Sequence, residues 1–146
     1  MNETKHVGRP LGTTKEGARK YLNDDELRAF MKVIKRSKRD DFLFSLMLFV
    51  GARVKEICQL KLNDINPEST QIVIKGVKGG NVRWYTIPGK LWKKLERWLR
   101  QRKNLKYADR NPYLFISKHG YYDSPITEQA IKCQFKKYIK LAGLTG

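Results

Sequence analysis

Val50-Gly51-Ala52-Arg53-Val54-Lys55-Glu56-Ile57-Cys58-Gln59-Leu60 puts an arginine at the mouth of a short helix, directly behind the apolar run Phe42 to Val50. That run is apolar apart from Ser45, and its Leu and Met content after Asp40-Asp41 predicts a buried helix that Gly51 ends. Farther on comes Lys75-Gly76-Val77-Lys78-Gly79-Gly80, closed by Arg83-Trp84-Tyr85-Thr86-Ile87-Pro88. Gln71 to Lys75 and Val82 to Ile87 are rich in β-branched and aromatic residues around a glycine-bearing turn, the pattern of a β-hairpin. An arginine rooted in a buried scaffold and a lysine on a glycine turn make a two-point clamp for a phosphate.

The rest of the chain reads outward from this centre. Asn23-Asp24-Asp25-Glu26 has capping-box spacing, and Leu27, Phe30, Met31 and Ile34 then fall on one helical face. The basic cluster Lys35 to Arg39 reads as the end of that helix, where cations suit the dipole. Leu91, Leu95, Trp98 and Leu99 predict another helix, with Lys93, Arg97 and Arg100 along a different face. Asn104 to Pro112 reads as a loop, and Tyr113 to Ser117 as a third strand or an extended segment. Ser124-Pro125-Ile126-Thr127 opens a last helix whose Ile131, Phe135, Tyr138, Ile139 and Ala142 face the core. Lys132, Lys136 and Lys140 share its basic face. Residues 1–20 are polar and basic and read as a flexible arm or linker. Gly8-Arg9-Pro10 there resembles the core of an AT-hook, a short string that plain linkers also contain.

The charge balance narrows the partner. The 146 residues carry 31 Lys plus Arg against 14 Asp plus Glu, a net charge of +17 that repels itself unless a polyanion meets it. With 40% hydrophobic residues the chain can build a core, so it is not a disordered polycation. Double-stranded DNA is the expected partner, through Lys75, Arg83, Lys93, Arg97, Arg100, Lys132, Lys136 and Lys140. The longest apolar run is too short to span a bilayer, which takes about 20 residues, and no membrane or export role is expected. A cytoplasmic protein encoded by a bacterium, phage or plasmid is the reading. Cys58 and Cys133 lie far apart and read as small buried hydrophobes. No metal or other cofactor is expected, since His6 and His119 complete no ligand set with them.

The order of these elements resembles the N-terminal half of the catalytic domain of tyrosine recombinases, the phage integrase family, over residues 21–146. Gly51-Ala52-Arg53-Val54-Lys55-Glu56-Ile57-Cys58-Gln59-Leu60 with Asn63-Asp64-Ile65 is similar to the family's Gly-Leu-Arg-x-x-Glu-Leu-x-x-Leu box and the Asp-Ile turn behind it. Ala52 departs from the usual leucine. Tyr113-Leu114-Phe115 is similar to the family's Leu-Phe segment. The resemblance implies a mixed α/β fold, predominantly helical, with a small antiparallel hairpin sheet. It implies that Arg53 is the first catalytic arginine, holding the scissile phosphate, and that Lys78 is the general acid on the hairpin. Lys75 is the reserve for that role, because the turn is longer than usual.

The family's remaining groups, a His-x-x-Arg box and a nucleophilic tyrosine, come later in the family's order and are not found behind the Arg53 box here. A DNA-binding part of a site-specific recombinase is therefore expected, inactive alone and with a homo-oligomer on DNA possible in the intact parent. Two other readings stay open: a non-catalytic basic DNA-binding module with a structural Arg53, and a basic RNA- or ribosome-binding protein.

Overall fold

The computed structural model describes residues 22–76, 81–117 and 123–144. Helix α1 (Asp24–Ile34) starts where the capping box places it: the Asn23 side chain accepts the Glu26 N–H at 2.8 Å, and Glu26 accepts the Asn23 N–H at 2.9 Å. Asp24, Asp25 and Glu26 fill its first turn, the favourable sign for that end of the dipole. Its end corrects the sequence reading. The helix stops at Ile34, and Ser37 caps a second helix, α2 (Lys38–Val50), by accepting the Asp40 N–H at 3.2 Å. Arg39 thus belongs to the start of α2 and is buried, not part of a solvated helix end.

Helix α2 is the axis of the molecule. Every residue from Arg39 to Met47 is buried, so no polar stripe exists to reveal its face. Gly51 terminates it in the left-handed region at φ 67°, where a residue without Cβ carries no steric penalty. The polar atoms that α2 takes inside are each answered. Asp40 accepts from Arg39 Nε at 3.0 Å, from Tyr138 Oη at 2.6 Å and from Gln134 Nε2 at 3.2 Å. Asp41 and Ser45 bind Lys94 Nζ at 2.9 and 3.0 Å. Leaving such groups unpaired costs about 1–3 kcal/mol each.

A short helix, α3 (Val54–Cys58), comes next, then a 3-10 turn at Leu62–Asp64. The sheet is antiparallel in the order β1 (Ile65–Asn66), β2 (Gln71–Lys75), β3 (Val82–Thr86). Ile72 pairs with Tyr85 and Lys75 with Val82, so the hairpin expected from sequence is present with close to its expected limits. Strand β1 was not expected, because two residues beside Asn66-Pro67 leave no periodicity to read.

Helix α4 (Gly89–Arg102) lies along α2 and buries Leu91, Leu95 and Trp98. Its last residue organises the loop beyond it: the buried Arg102 donates to the carbonyls of Ala108, Asn111, Tyr113 and Leu114. Burial lowers the Arg102 pKa from its ordinary value. Tyr113 to Ser117 is an extended segment, not a named strand. It makes one bridge, Lys61 to Tyr113, and buries Leu114, Phe115 and Ile116. Helix α5 (Glu128–Leu141), capped by Thr127, packs on α1 and α3. There Phe135 and Tyr138 join Phe30 and Phe44 in an aromatic cluster with centroids 5.5 to 6.4 Å apart. Cys58 is buried as expected, but Cys133 is exposed, since it falls off the face that Ile131 and Tyr138 define. No helix among the described residues is long and apolar enough to cross a membrane.

Candidate nucleic-acid interface

Arg53 occupies the N-cap of α3 with an extended backbone, φ −81° and ψ 155°. Its N–H donates to Glu56 Oε1 at 3.0 Å. The same oxygen accepts from Arg83 Nη2 of β3 at 2.9 Å, with Glu56 13% and Arg83 39% exposed. One carboxylate therefore fixes the helix mouth and ties it to the hairpin. Arg53 itself is exposed, and its guanidinium makes no hydrogen bond or ion pair with any described residue. Two neighbouring arginines have different fates: Arg83 is held, while Arg53 keeps its donors available.

Lys78 lies in the connection between β2 and β3, outside the described residues. The strands on either side of it are described, and Gly76 N–H donates to the Asn81 carbonyl at 3.0 Å. Lys75, the last residue of β2, pairs with Asp64 at 3.2 Å and stays 63% exposed. Lys93, Arg97 and Arg100 are exposed on α4, and Lys132, Lys136 and Lys140 are exposed on α5. The first triad rides on a helix that lies along α2, the second on one that packs on α1 and α3 and also touches α2 through Asp40 and Phe44.

A groove of about 730 Å³ runs between α3, the 3-10 turn, β2 and the start of α5. Lys55, Lys61 and Lys75 line it, but so do Glu56, Asp64 and Glu128, and Arg53 is not among its lining residues. Lys55 approaches Glu128 at 3.8 Å, and Lys61 lies 5.5 Å over the Tyr113 ring. With its charges balanced, the groove interior offers a polyanion little; the free cations lie outside it. Cys58, at the groove wall, has its thiol pushed up from 9.0 to about 11, by burial first and the Glu128 charge second. It stays protonated near neutrality and is no nucleophile. Burial and then the hydrogen bond to Asp40 push the Tyr138 phenol well above its ordinary 10.0. No group of His, Cys, Asp and Glu among the described residues is arranged to hold a metal.

Sequence reasoning passed over the part of Glu56 that reaches β3, because its partner lies 27 residues away and no local spacing signals it. It also missed the burial of Arg39, which looked like one more member of a basic cluster.

A helical domain with a three-stranded antiparallel sheet, and an arginine presented at a helix mouth beside it, define a DNA breaking-rejoining fold. The chain belongs to the phage integrase family, whose profile matches residues 20–146. It is 34% identical over 125 residues to tyrosine recombinase XerA of Pyrococcus horikoshii, covering 86% of this chain and 42% of that one. It is 30% identical over 105 residues to the type 1 fimbriae regulatory protein FimE of Escherichia coli K12, covering 70% and 53%. The chain thus spans less than half the length of the XerA relative. Among solved structures, XerA recombinase superposes with a TM-score of 0.77 at 23% identity, covering 90% of this chain and 46% of that one. A lambda integrase(75–356) dimer bound to a COC′ core site superposes at 0.63 and 16% identity, covering 91% and 47%. Both likenesses concern the fold.

Proposed function

We propose that this chain is the phosphate-gripping part of a site-specific tyrosine recombinase and binds duplex DNA with Arg53 at the centre of its contact. The observation that carries the reading is the contrast at Glu56: the backbone of Arg53 is fixed, yet its guanidinium is exposed and unpaired among described residues. A planar donor fork held at a rigid helix mouth suits the non-bridging oxygens of a phosphodiester, and it would stabilise the charge that builds there during strand transfer. Lys78 is proposed as the general acid for the departing 5′ oxygen, with Lys75 in reserve. The Lys75 pairing with Asp64 favours Lys78, because a lysine already facing a carboxylate is less available to a leaving group. The intact enzyme would cut and rejoin strands through a phosphotyrosine. The single His-x-x-Arg string, His6-Val7-Gly8-Arg9, lies ahead of the Arg53 box and none follows it, so binding, not cleavage, is what is proposed of these residues by themselves.

The test is fluorescence anisotropy with a labelled duplex across a salt series. Arg53→Ala should lower the slope of log affinity against log salt by about 0.9, one phosphate contact. It should leave the urea midpoint nearly unchanged. An unaltered slope would return Arg53 to a structural role and leave a non-catalytic basic module; tighter binding to single-stranded RNA than to duplex would sink the DNA reading altogether.

A further inference from the structure

Arg53 and Glu56 stand at the N-cap and the third position of α3, the two places whose side chains meet in a capping box. A guanidinium and a carboxylate so placed are within reach of each other and attract. Here they stay apart. Glu56 Oε1 takes the Arg53 N–H at 3.0 Å and Arg83 Nη2 at 2.9 Å, while the Arg53 guanidinium pairs with no described residue. The carboxylate nearest to Arg53 in the chain is held by an arginine from another element.

Strand β3 fixes that outcome. Its residues alternate between exposed and half-buried, and Arg83 and Tyr85 take the side toward α2 and α3. Arg83 faces Ile74 across the hairpin, and the Tyr85 hydroxyl donates to the Val50 carbonyl at 3.3 Å, just ahead of the turn that leads to Arg53. The other cations on the groove wall with Glu56 face groups of their own: Lys55 meets Glu128, Lys75 meets Asp64, and Lys61 lies over the Tyr113 ring. Glu56 is 13% exposed, so it has much to gain from a cation. Were Arg83 removed, Arg53 is the cation left to turn back onto it. A guanidinium paired in that way must release the carboxylate before it grips a phosphate.

We propose that Arg83 is a positioning residue that acts through Arg53: by occupying Glu56 it keeps the Arg53 guanidinium open for a DNA phosphate, and it makes no phosphate contact itself. The proposal rests on the duplex-DNA reading above. Arg83, expected from sequence as one more DNA contact, becomes the support of another.

Duplex affinity of the 146-residue chain, followed by anisotropy across a salt series, separates the roles. Arg83→Met should weaken binding by about two- to fivefold, the most that a part-exposed ion pair withdraws, and should keep the salt slope. Arg83→Met/Glu56→Gln should bind as wild type does, because the amide still accepts the Arg53 N–H but no longer captures its guanidinium. With Arg53→Ala as the background, the loss and its repair should both vanish. A slope lower by about 0.9 in Arg83→Met would make Arg83 a phosphate contact and overturn the proposal. A loss that Glu56→Gln does not repair would make Arg83 a strut, and overturns it too. If Arg83→Met does not fold, wild type decides: on adding duplex the Nε–H resonance of Arg53 should shift and that of Arg83 should stay, and a shift at Arg83 overturns the role. Should Arg53→Ala leave the DNA slope unaltered, the duplex reading fails by itself. The role of Arg83 is then read without DNA, where exchange of the Arg53 Nε–H with water should be slower by about twofold or more in Arg83→Met, and equal exchange overturns it.

Discussion

Glu56 and Arg53 sit one helical turn apart and divide two tasks that a sequence motif presents as one. Glu56 is largely enclosed and bonded twice, whereas Arg53 contributes to the fold only through its backbone. Glu56→Ala should therefore cost about 1–2 kcal/mol in urea denaturation, the range for a charged hydrogen bond discounted for the partial exposure of Arg83. Arg53→Ala should cost less than about 0.5 kcal/mol, as an exposed side chain without partners does. Equal costs would mean that Arg53 is structural. Cys58 makes a separate prediction. Its folded pKa is raised from 9.0 to about 11, so the protonated thiol stabilises the fold fully below pH 9, and that contribution fades as pH rises through 11. Two units correspond to about 2–3 kcal/mol. Cys58→Ala should flatten the fall of stability between pH 9 and 11 relative to wild type, and parallel curves would contradict it. The Arg53 box was legible because its chemistry is local. The division of labour within it was not, since it depends on where β3 places Arg83.

At the scale of elements, the helices that showed a face in sequence are present with nearly the expected limits: α1 by its capping box, α4 by Leu91, Leu95 and Trp98, α5 by Thr127 and Ile131. Helix α2 had no face to show, and its first turn was misassigned because Lys38 and Arg39 look like solvent residues. Only the packing of α5 and the Phe115–Ile116 segment makes the start of α2 interior. Gly51 ends α2 at positive φ with open space where a Cβ would go. Gly51→Ala should thus cost about 1 kcal/mol from backbone strain alone, without a packing defect, measured as a lower urea midpoint at unchanged m-value. Arg102 holds the turn after α4 through four carbonyls that no pattern in that loop announces. Arg102→Met should cost more than about 3 kcal/mol, since several buried acceptors lose their donor together. A loss under about 1 kcal/mol would show that the loop holds itself.

Across the whole molecule the question is which cations a duplex can reach at once. Helix α5 packs against α3, the helix that presents Arg53, whereas α4 lies along α2. Replacing Lys132, Lys136 and Lys140 with glutamine should therefore lower the DNA salt slope by up to about 2.7, three phosphates' worth. The same change at Lys93, Arg97 and Arg100 should lower it less, and the reverse order would move the DNA face to α4. The amino-acid sequence determined the helix periods, the caps, the hairpin, the excess of positive charge and the arginine box, because each is written in neighbours a few residues apart. Tertiary structure alone decided that Arg83 is held while Arg53 is free, that Arg39 is buried beside the start of α5, and that the groove beside α3 is neutral inside. Those outcomes depend on contacts between residues 27 to 98 positions apart, such as Glu56 with Arg83 and Asp40 with Tyr138. Desolvation and pairing of charge exist only once the chain has closed on itself.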